Sequence, residues 1–161
     1  LTAEDLSHSA ALISQLALDN QEATRELREF ARGIYPPLLA ERGLVAALQS
    51  TARRAPVPVT LHAEGIGRLP TTVENPAYFC ILEALNNALR HAYATEIVIT
   101  LRADTDLEFF VVDDGRGFRP EVVTPNGILG MHARIEAARG ELSIRSSPGT
   151  GATVHGRFPI H

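Results

Sequence analysis

The sequence predicts an α+β fold: a two-layer α/β sandwich in which a mixed sheet carries helices on one face, preceded by a long N-terminal helix. Three observations predict it. Heptad spacing fills the first part of the chain, short β-branched runs recur after it, and amphipathic helical stretches separate those runs. With 161 residues, 45% of them hydrophobic, the chain is long enough for one domain with a core and an appendage.

The N-terminal segment, Ala3 to Gly33, is one long helical pattern with apolar positions seven residues apart and flanks of Glu and Arg. Asn20 falls on the apolar seam, where a buried polar side chain can fix register at a cost in stability. Pro36-Pro37 ends the pattern. We expect residues 1–36 to dimerise and residues 37–161 to form a separate domain. Packing of the helix on its own domain is the alternative.

The remaining elements follow from periodicity and from turn signals. Helices are predicted at Leu44 to Arg54, Val73 to Tyr93 and Ile128 to Arg139, and strands at Pro56 to His62, Glu96 to Arg102, Leu107 to Val112, Glu141 to Arg145 and Thr153 to Phe158. The run Leu107 to Val112 is apolar on both faces, which predicts a central strand. Gly140 is the expected cap of the third helix.

Composition excludes several classes of function. No Lys occurs and all 15 basic residues are Arg, which excludes a Walker loop ending in Gly-Lys-Ser/Thr and a kinase strand that grips phosphates with Lys. With a formal net charge of -4, the chain lacks the excess positive charge that neutralises the phosphates of a nucleic acid, so we expect no nucleic-acid partner. If the chain binds ATP, it must use backbone amides, Arg, Asn and a metal.

Cysteine content and hydropathy predict a cytoplasmic chain. The single Cys80 lies inside an apolar helical run, so disulfides are not part of the framework. No apolar run approaches the roughly 18 to 20 residues of a membrane span, so we expect no membrane contact by this chain. The sequence begins at Leu1 without Met, which indicates part of a longer protein whose remainder could carry sensors or a membrane anchor.

One stripe of the second predicted helix carries Glu83, Asn87, Arg90 and His91 at spacings i, i+4, i+7 and i+8. A carboxylate can orient or deprotonate an attacking group, a carboxamide oxygen is a hard ligand suited to Mg2+, and Arg can neutralise phosphate charge. A solvated helix face is the alternative, but Asn is a poor helix former for that purpose. We therefore expect this stripe to face a nucleotide.

The turn Asp113-Asp114-Gly115-Arg116-Gly117 follows the predicted central strand. A carboxylate at Asp113 could accept a hydrogen bond from the C6 amino group of adenine, whereas guanine presents a carbonyl there and would be repelled. Gly115 and Gly117 allow positive φ and a close approach of the backbone to a planar ring. Taken alone, Asp-Gly is an ordinary turn signal.

The segment Gly127 to Met131 opens the third predicted helix. Backbone amides at a glycine-rich helix start form an anion site without a cationic side chain, so we expect Gly127, Gly130 and Met131 beside a triphosphate. A helix start capped by Asn126 explains the same residues equally well.

The last glycine-rich turn runs from Ser147 to Gly151. Pro148-Gly149 is adequately explained as a hairpin turn with Pro and Gly at its central positions. A role for Gly149, Thr150 and Gly151 in nucleotide binding therefore depends on the other three segments.

In this order and spacing, the four segments resemble the nucleotide-binding boxes of the ATPase superfamily shared by gyrase, Hsp90, histidine kinases and MutL. The resemblance covers the chain from about Ala40 to its end. The matching segments are Ile81 to Ala92 as the N box and Asp113 to Gly117, Gly127 to Met131 and Gly149 to Gly151 as the three glycine boxes.

Within the superfamily, the chain resembles bacterial sensor histidine kinases of the nitrate-sensor and lipid-sensor (DesK-like) group. Glu83-x-x-x-Asn87 followed by Arg90-His91, and Glu26 to Arg28 running into Ala31 to Pro36, carry this likeness. It implies a Bergerat fold, ATP with Mg2+, Asn87 as metal ligand, Glu83 assisting γ-phosphoryl transfer to a histidine, and Asp113 reading adenine. It also implies a homodimeric parent whose partner is a response regulator with a helix-turn-helix output domain.

The chain departs from that group in two respects. None of its His residues stands in the expected acceptor motif, a His followed by Asp, so residues 1–36 resemble only the C-terminal helix of the dimerisation and phosphotransfer hairpin. The chain alone should therefore not label itself. Ala152 stands where many relatives have a Thr beside the adenine pocket, and Thr153 is the nearest substitute.

Two alternatives stay open at this stage. An anti-sigma-factor serine kinase has the same ATP-binding fold at similar length, although the N-terminal heptad and the Pro junction favour the histidine kinase. A dimerising module that binds nucleotide without catalysis is the second alternative, and intact Glu83 and Asn87 count against it.

Overall fold

The computed structural model describes residues 36–120 and 126–160, so the predicted N-terminal helix and its heptad lie outside the described residues. The chain divides into two compact units, Leu1–Pro37 and Leu38–His161. Apart from Pro36 and Pro37, the described residues belong to the second unit. That residues 1–36 form half of a dimerising hairpin stays a prediction.

The described part of the second unit is an α+β fold with a mixed sheet, as predicted. Its elements are α1 (Pro37–Arg53), β1 (Val59–His62), α2 (Thr71–Asn87), a π-helical turn (Ala88–Ala92), β2 (Ile97–Ala103), β3 (Asp106–Asp113), α3 (Asn126–Ala137), β4 (Glu141–Ser146) and β5 (Ala152–Pro159). The strand order is β1-β2-β3-β5-β4. β1 pairs with β2 in parallel, and the other pairs are antiparallel.

β3 is the central strand, which confirms the prediction from its apolar run. Its inner face packs into the core, where the rings of Phe109 and Phe158 stack at 6.2 Å between centroids. On the other face Val112 is 40% exposed. The strand is therefore central in order without being buried on both faces, and its apolar run overstated its burial.

α1 begins at Pro37, seven residues before the predicted start at Leu44. Gly43 adopts φ 82 inside it, a conformation that breaks the helix into two segments, and the predicted helix is the second of them. Arg68 closes the first segment, because its guanidinium donates hydrogen bonds to the carbonyl oxygens of Ala40 and Glu41.

The same guanidinium binds the buried carboxylate of Glu74 near the start of α2, through two N–H···O bonds of 3.3 Å each. Glu74 is only 1% exposed and also accepts the Leu69 amide at 3.1 Å. This cluster joins the first turns of α1 to the first turns of α2. It thereby fixes the helix whose other end carries Asn87.

The second predicted helix changes type before its end. It is α-helical as far as Asn87 and then continues as a π-helical turn through Ala92, ended by Tyr93 at φ 53. A π-helical turn carries more residues per turn than an α-helix, so the 3.6-residue spacing used for Arg90 and His91 does not hold beyond Asn87.

α3 ends differently from the prediction. Arg139, rather than Gly140, takes the left-handed conformation, at φ 55. The amide of Gly140 donates to Ile135 and that of Arg139 to Glu136, a Schellman pattern. Gly140 is required for another reason: an added β-carbon would stand 2.3 Å from the carbonyl oxygen of Arg157 on β5.

Candidate functional site

Asp113, the last residue of β3, lies on the inner face of the sheet and is 9% exposed. Its Oδ1 accepts the Gly115 amide at 2.9 Å, and Ala152 is its partner across β5. Burial raises the pKa of the Asp113 carboxyl above its ordinary value, and hydrogen bonds from the amides of Gly115 and Ala152 oppose that rise. A buried carboxylate at a strand end is suited to accept one more hydrogen bond from a ligand donor.

Asp114 has a structural role that the sequence did not predict. Its carboxylate accepts the amides of Thr95 and Glu96 and the hydroxyl of Thr95, just before β2. These bonds, with the Thr95 hydroxyl first, lower the pKa of Asp114. The two neighbouring carboxylates therefore have different roles: Asp114 holds the turn to the residues before β2, and Asp113 faces the interior.

Gly115 and Gly117 bring the turn into contact with the protein's own backbone. An added β-carbon at Gly115 would stand 2.5 Å from the carbonyl oxygen of Ala92, and one at Gly117 would stand 2.0 Å from that of Ser147. Gly117 also has φ 63. At both glycines the place where a side chain would begin is therefore filled by neighbouring backbone. That they also let a planar ring approach the turn stays a prediction.

The third glycine turn packs directly against the first. The amide of Gly149 donates to the carbonyl oxygen of Arg116 at 2.6 Å. An added β-carbon at Gly151 would stand 2.0 Å from the carbonyl oxygen of Asp113. The structure therefore brings Gly151 to Asp113 and Gly149 to Arg116. Thr150 is exposed, and its hydroxyl donates to the carbonyl oxygen of Ser147.

Glu83 and Asn87 lie half-buried on α2, while Arg90 and His91 are exposed on the π-helical turn. Glu83 reaches the start of α3: an added β-carbon at Gly127 would stand 1.9 Å from its Oε1. The predicted N box and second glycine box therefore meet at Glu83. The backbone of Ala92 connects the same helix to the first glycine turn, since its carbonyl oxygen accepts the Arg116 amide at 2.7 Å.

The side chains of two predicted ligand residues do not face this site. The Met131 side chain is fully buried in the hydrophobic core, so only its backbone amide could contact a phosphate, as the prediction requires, and that contact stays a prediction. Thr153 is the register partner of Val112, one residue along from the pair Asp113 and Ala152. Because side chains alternate across a strand, Thr153 points to the opposite face from Asp113 and does not replace the missing Thr.

Ser146 is a residue that the sequence analysis missed. Its hydroxyl accepts the Phe118 amide and donates to the carbonyl oxygen of Gly151, both at 2.8 Å. It therefore links the segment after the first glycine turn to the end of the third. Only its place at the end of a strand next to a Ser-Pro-Gly turn could have drawn attention to it.

A cavity of about 650 Å³ lies between α2 and α3, lined among others by Thr72, Phe79, Arg134 and Arg139. It lies beside the first turns of α2 and the last turns of α3, whereas Asn87 and Gly127 are at the opposite ends of these helices. None of the predicted site residues lines it. The cavity is therefore separate from the site built by the four segments.

Comparison with known proteins gives the class of this fold and site. Residues 72–161, more than half of the chain, match the family described as histidine kinase-, DNA gyrase B-, and HSP90-like ATPase. The chain belongs to this family of ATPases. The matched region begins next to the first residue of α2 and contains all four predicted boxes.

Several proteins that are similar to this chain are sensor histidine kinases. The chain is 29% identical to the sensor histidine kinase YhcY of Bacillus subtilis over 98% of this chain and 41% of the relative. It is 31% identical to the sensor histidine kinase ComP of the same organism, over 77% of this chain and 17% of the relative. The chain thus spans less than half the length of these relatives.

A solved structure shows the same fold. It is the histidine kinase domain of the Erythrobacter litoralis EL346 blue-light activated histidine kinase, with a TM-score of 0.55 and 24% identity over 71% of this chain and 56% of that chain. Together, these findings confirm the predicted resemblance to the ATP-binding catalytic domain of sensor histidine kinases. Separately, no helix among the residues that the structure describes is long and apolar enough to cross a membrane.

Proposed function

We propose that this chain binds Mg-ATP between α2, the start of α3 and the inner end of β3, and supplies the phosphoryl-transfer half of a sensor histidine kinase. The γ-phosphoryl group passes to a histidine on a dimerisation helix of the homodimeric parent. From there it is relayed to a response regulator with a helix-turn-helix output domain. This activity is cytoplasmic, whether or not the parent is anchored in a membrane.

The observation that carries the proposal is the convergence of the four segments around two carboxylates. Asp113 is buried at the end of β3, where the first glycine turn begins, and that turn contacts the third. Glu83 lies on α2 against the start of α3. If the helix stripe were only a solvated face and the glycine turns were independent hairpins, these contacts between the segments would not be expected.

Asp113 reads the base in this proposal. Its ionised carboxylate accepts a hydrogen bond from the C6 amino group of adenine, while the carbonyl of guanine would face a like partial charge. Because Asp113 is 9% exposed, water competes weakly for this bond. Ala152, its neighbour on β5, offers only a methyl group beside the base.

Asn87 holds the metal in this proposal. Among residues 36–120 and 126–160, no three His, Cys, Asp or Glu side chains are grouped to hold a metal ion. A Mg2+ ion bound by the Asn87 carboxamide oxygen would take its other ligands from phosphate oxygens and water, which is how Mg2+ is commonly held with nucleotides. The ion would supply charge neutralisation, with Arg90 and His91 on the exposed turn beside it.

Glu83 assists the transfer. A nitrogen of the acceptor imidazole forms a bond to the γ-phosphorus as the bond from that phosphorus to the bridging oxygen of ADP breaks. The Glu83 carboxylate accepts the N–H of the other ring nitrogen, which aligns the attacking lone pair and favours the developing positive charge on the ring.

The test uses the full-length parent kinase, ATP labelled at the γ-phosphate, and the variant Glu83→Ala. We expect ATP affinity within about threefold of wild type and a loss of labelling of roughly a hundredfold or more, the usual size of a general acid–base contribution. Glu136→Ala, at an exposed position of α3, is the matched control and should label normally. Labelling at the wild-type rate in Glu83→Ala would remove the assigned role.

The stability of the label separates the two kinase classes. Phosphohistidine is lost in acid, whereas phosphoserine survives it. An acid-labile label on the parent kinase supports the proposal. An acid-stable label on a partner protein would support the anti-sigma-factor alternative instead.

A further inference from the structure

Ser146 occupies a position that the four nucleotide-binding segments do not include. It is the last residue of β4 and pairs with Ala152, which in turn pairs with Asp113. Because paired residues on adjacent strands share a face, Ser146 lies on the inner face of the sheet, two strands from Asp113. It is half-buried and lies at the same end of the sheet as the glycine turns.

The Ser146 hydroxyl uses both of its hydrogen-bonding capacities. Its oxygen accepts the amide of Phe118 at 2.8 Å, and its hydrogen is donated to the carbonyl oxygen of Gly151 at 2.8 Å. Phe118 is the residue after the first glycine turn, and Gly151 is the last residue of the third. The Ser146 side chain therefore links the residue that follows the first turn, 28 positions earlier in the sequence, to the last residue of the third turn.

These turns need such a link because glycine-rich backbone is intrinsically permissive. The middle of the first turn is held by two bonds, from the Arg116 amide to Ala92 and from the Gly149 amide to Arg116. Ser146 holds the exit of that turn, immediately after Gly117 at φ 63. Without the hydroxyl, the exit would be free to move away from Gly151 and so from the backbone that lies against Asp113.

We propose that Ser146 is a positioning residue for nucleotide binding, because its hydroxyl holds the first and third glycine turns in the arrangement that leaves Asp113 ready for adenine. The inference rests on the proposed function. It goes beyond it by assigning nucleotide affinity to a side chain outside the four segments. Ser146 contacts the binding backbone and acts through it, without a bond to the base.

The test compares Ser146→Ala with two other variants of the chain. Ser146→Thr keeps the hydroxyl. Ser143→Ala makes the same change on the same strand at an exposed position that pairs with His155, on the opposite face of the sheet. If Ser146→Ala does not fold, Ser146→Cys replaces it, since a thiol is close in size and a much weaker hydrogen-bonding group.

Two measurements are made on folded protein. The first is amide hydrogen exchange at Phe118 without nucleotide, which we expect to become about tenfold faster in Ser146→Ala, because the lost bond is worth roughly one decade in the opening equilibrium. The second is Mg-ATP affinity by calorimetry, which we expect to fall about tenfold. Ser146→Thr should restore both, and Ser143→Ala should change neither.

The outcomes separate this inference from the proposed function. Unchanged Phe118 exchange in Ser146→Ala would overturn the link itself. Faster exchange with unchanged Mg-ATP affinity would overturn the positioning role, even though wild-type binding upholds the proposed function. Failure of the wild type to bind Mg-ATP would overturn the proposed function and the positioning role together, whatever the exchange at Phe118 shows about the hydrogen bond.

Discussion

The Oε1 atom of Glu83 occupies the space where a side chain at position 127 would begin. An added β-carbon at Gly127 would stand 1.9 Å from that oxygen and 2.8 Å from the carboxyl carbon. Glycine at the start of α3 therefore has a steric reason that is independent of any phosphate: it lets the carboxylate of α2 lie against the backbone of the next helix. The placement of Glu83 depends on a residue 44 positions later.

Gly127→Ala should therefore impair phosphoryl transfer by displacing Glu83. No real β-carbon tolerates a contact of 1.9 Å, so either the carboxylate or the helix start must shift. We expect labelling of the full-length kinase to fall at least about tenfold, since small misplacements of reacting groups are costly. Gly67→Ala is the control, because its β-carbon meets no atom within 4 Å. Equal labelling by both variants would show that the contact with Glu83 has no catalytic consequence.

Asp113→Asn should separate stability from nucleotide preference. The substitution removes a carboxylate whose pKa is raised by burial, so the unfolding free energy at pH 7 should increase. It also replaces an acceptor with a group that can present a donor to the base. We expect the preference for ATP over GTP to shrink about tenfold or more in calorimetric titrations. An unchanged ratio of the two affinities would refute the assignment of Asp113 to adenine.

Protonation of Asp113 at lower pH should weaken ATP binding and relieve the cost of burying its charge in the folded protein. Because its pKa is raised in the folded state, the folded protein binds this proton more tightly than the unfolded chain does. As the pH falls through the raised pKa, the penalty for the buried charge is relieved while ATP affinity declines. Asp114, whose pKa is lowered, contributes stability that is lost only at still lower pH.

Wild type and Asp113→Asn should be compared over the range from pH 7 down to the ordinary pKa of Asp, about 4. The ratio of their ATP affinities should fall towards one as the wild-type carboxylate becomes protonated. A ratio that stays constant over this range would mean that the charge of Asp113 takes no part in binding.

Arg68→Ala should destabilise the domain through the charge it leaves unpaired. Glu74 is 1% exposed and would keep only the Leu69 amide among the contacts described above. Arg68 is itself half-exposed, so water can replace part of the guanidinium. We therefore expect the unfolding free energy to fall by about 2 kcal/mol, less than the roughly 3–5 kcal/mol lost when one partner of a fully buried ion pair is removed.

The matched control for this stability measurement is Arg157→Ala. Its guanidinium pairs with Asp106, whose side chain is 14% exposed against 1% for Glu74, so water can reach the carboxylate left behind and we expect a smaller loss. Chemical denaturation of both variants gives the comparison. Equal losses in the two would show that the Arg68 and Glu74 pair does not behave as a buried one.

The sequence predicted the sheet, the central strand and the order of the elements because these follow from alternation and apolar runs. It missed the features that depend on contacts between distant segments. The face on which Thr153 lies is set by the pairing of β5 with β3, which no local pattern contains. The π-helical turn after Asn87 left no signal in the spacing of side chains.

The burial of Met131 follows from the periodicity of α3. Its spacing from Ile128 and Ile135 is three and four residues, the pattern of a buried helix face, and all three are buried. Periodicity alone would have placed Met131 in the core. The ligand assignment concerned its backbone amide at the glycine-rich helix start, and a buried side chain is compatible with it.

Calorimetric titration of the folded 161-residue chain with ATP and GTP, in the presence of Mg2+, decides whether Asp113 reads a bound adenine. We expect one ATP site per chain, a clear preference for ATP over GTP, and loss of that preference in Asp113→Asn. If the folded chain does not bind ATP, or binds the two nucleotides with equal affinity, the proposed site is wrong.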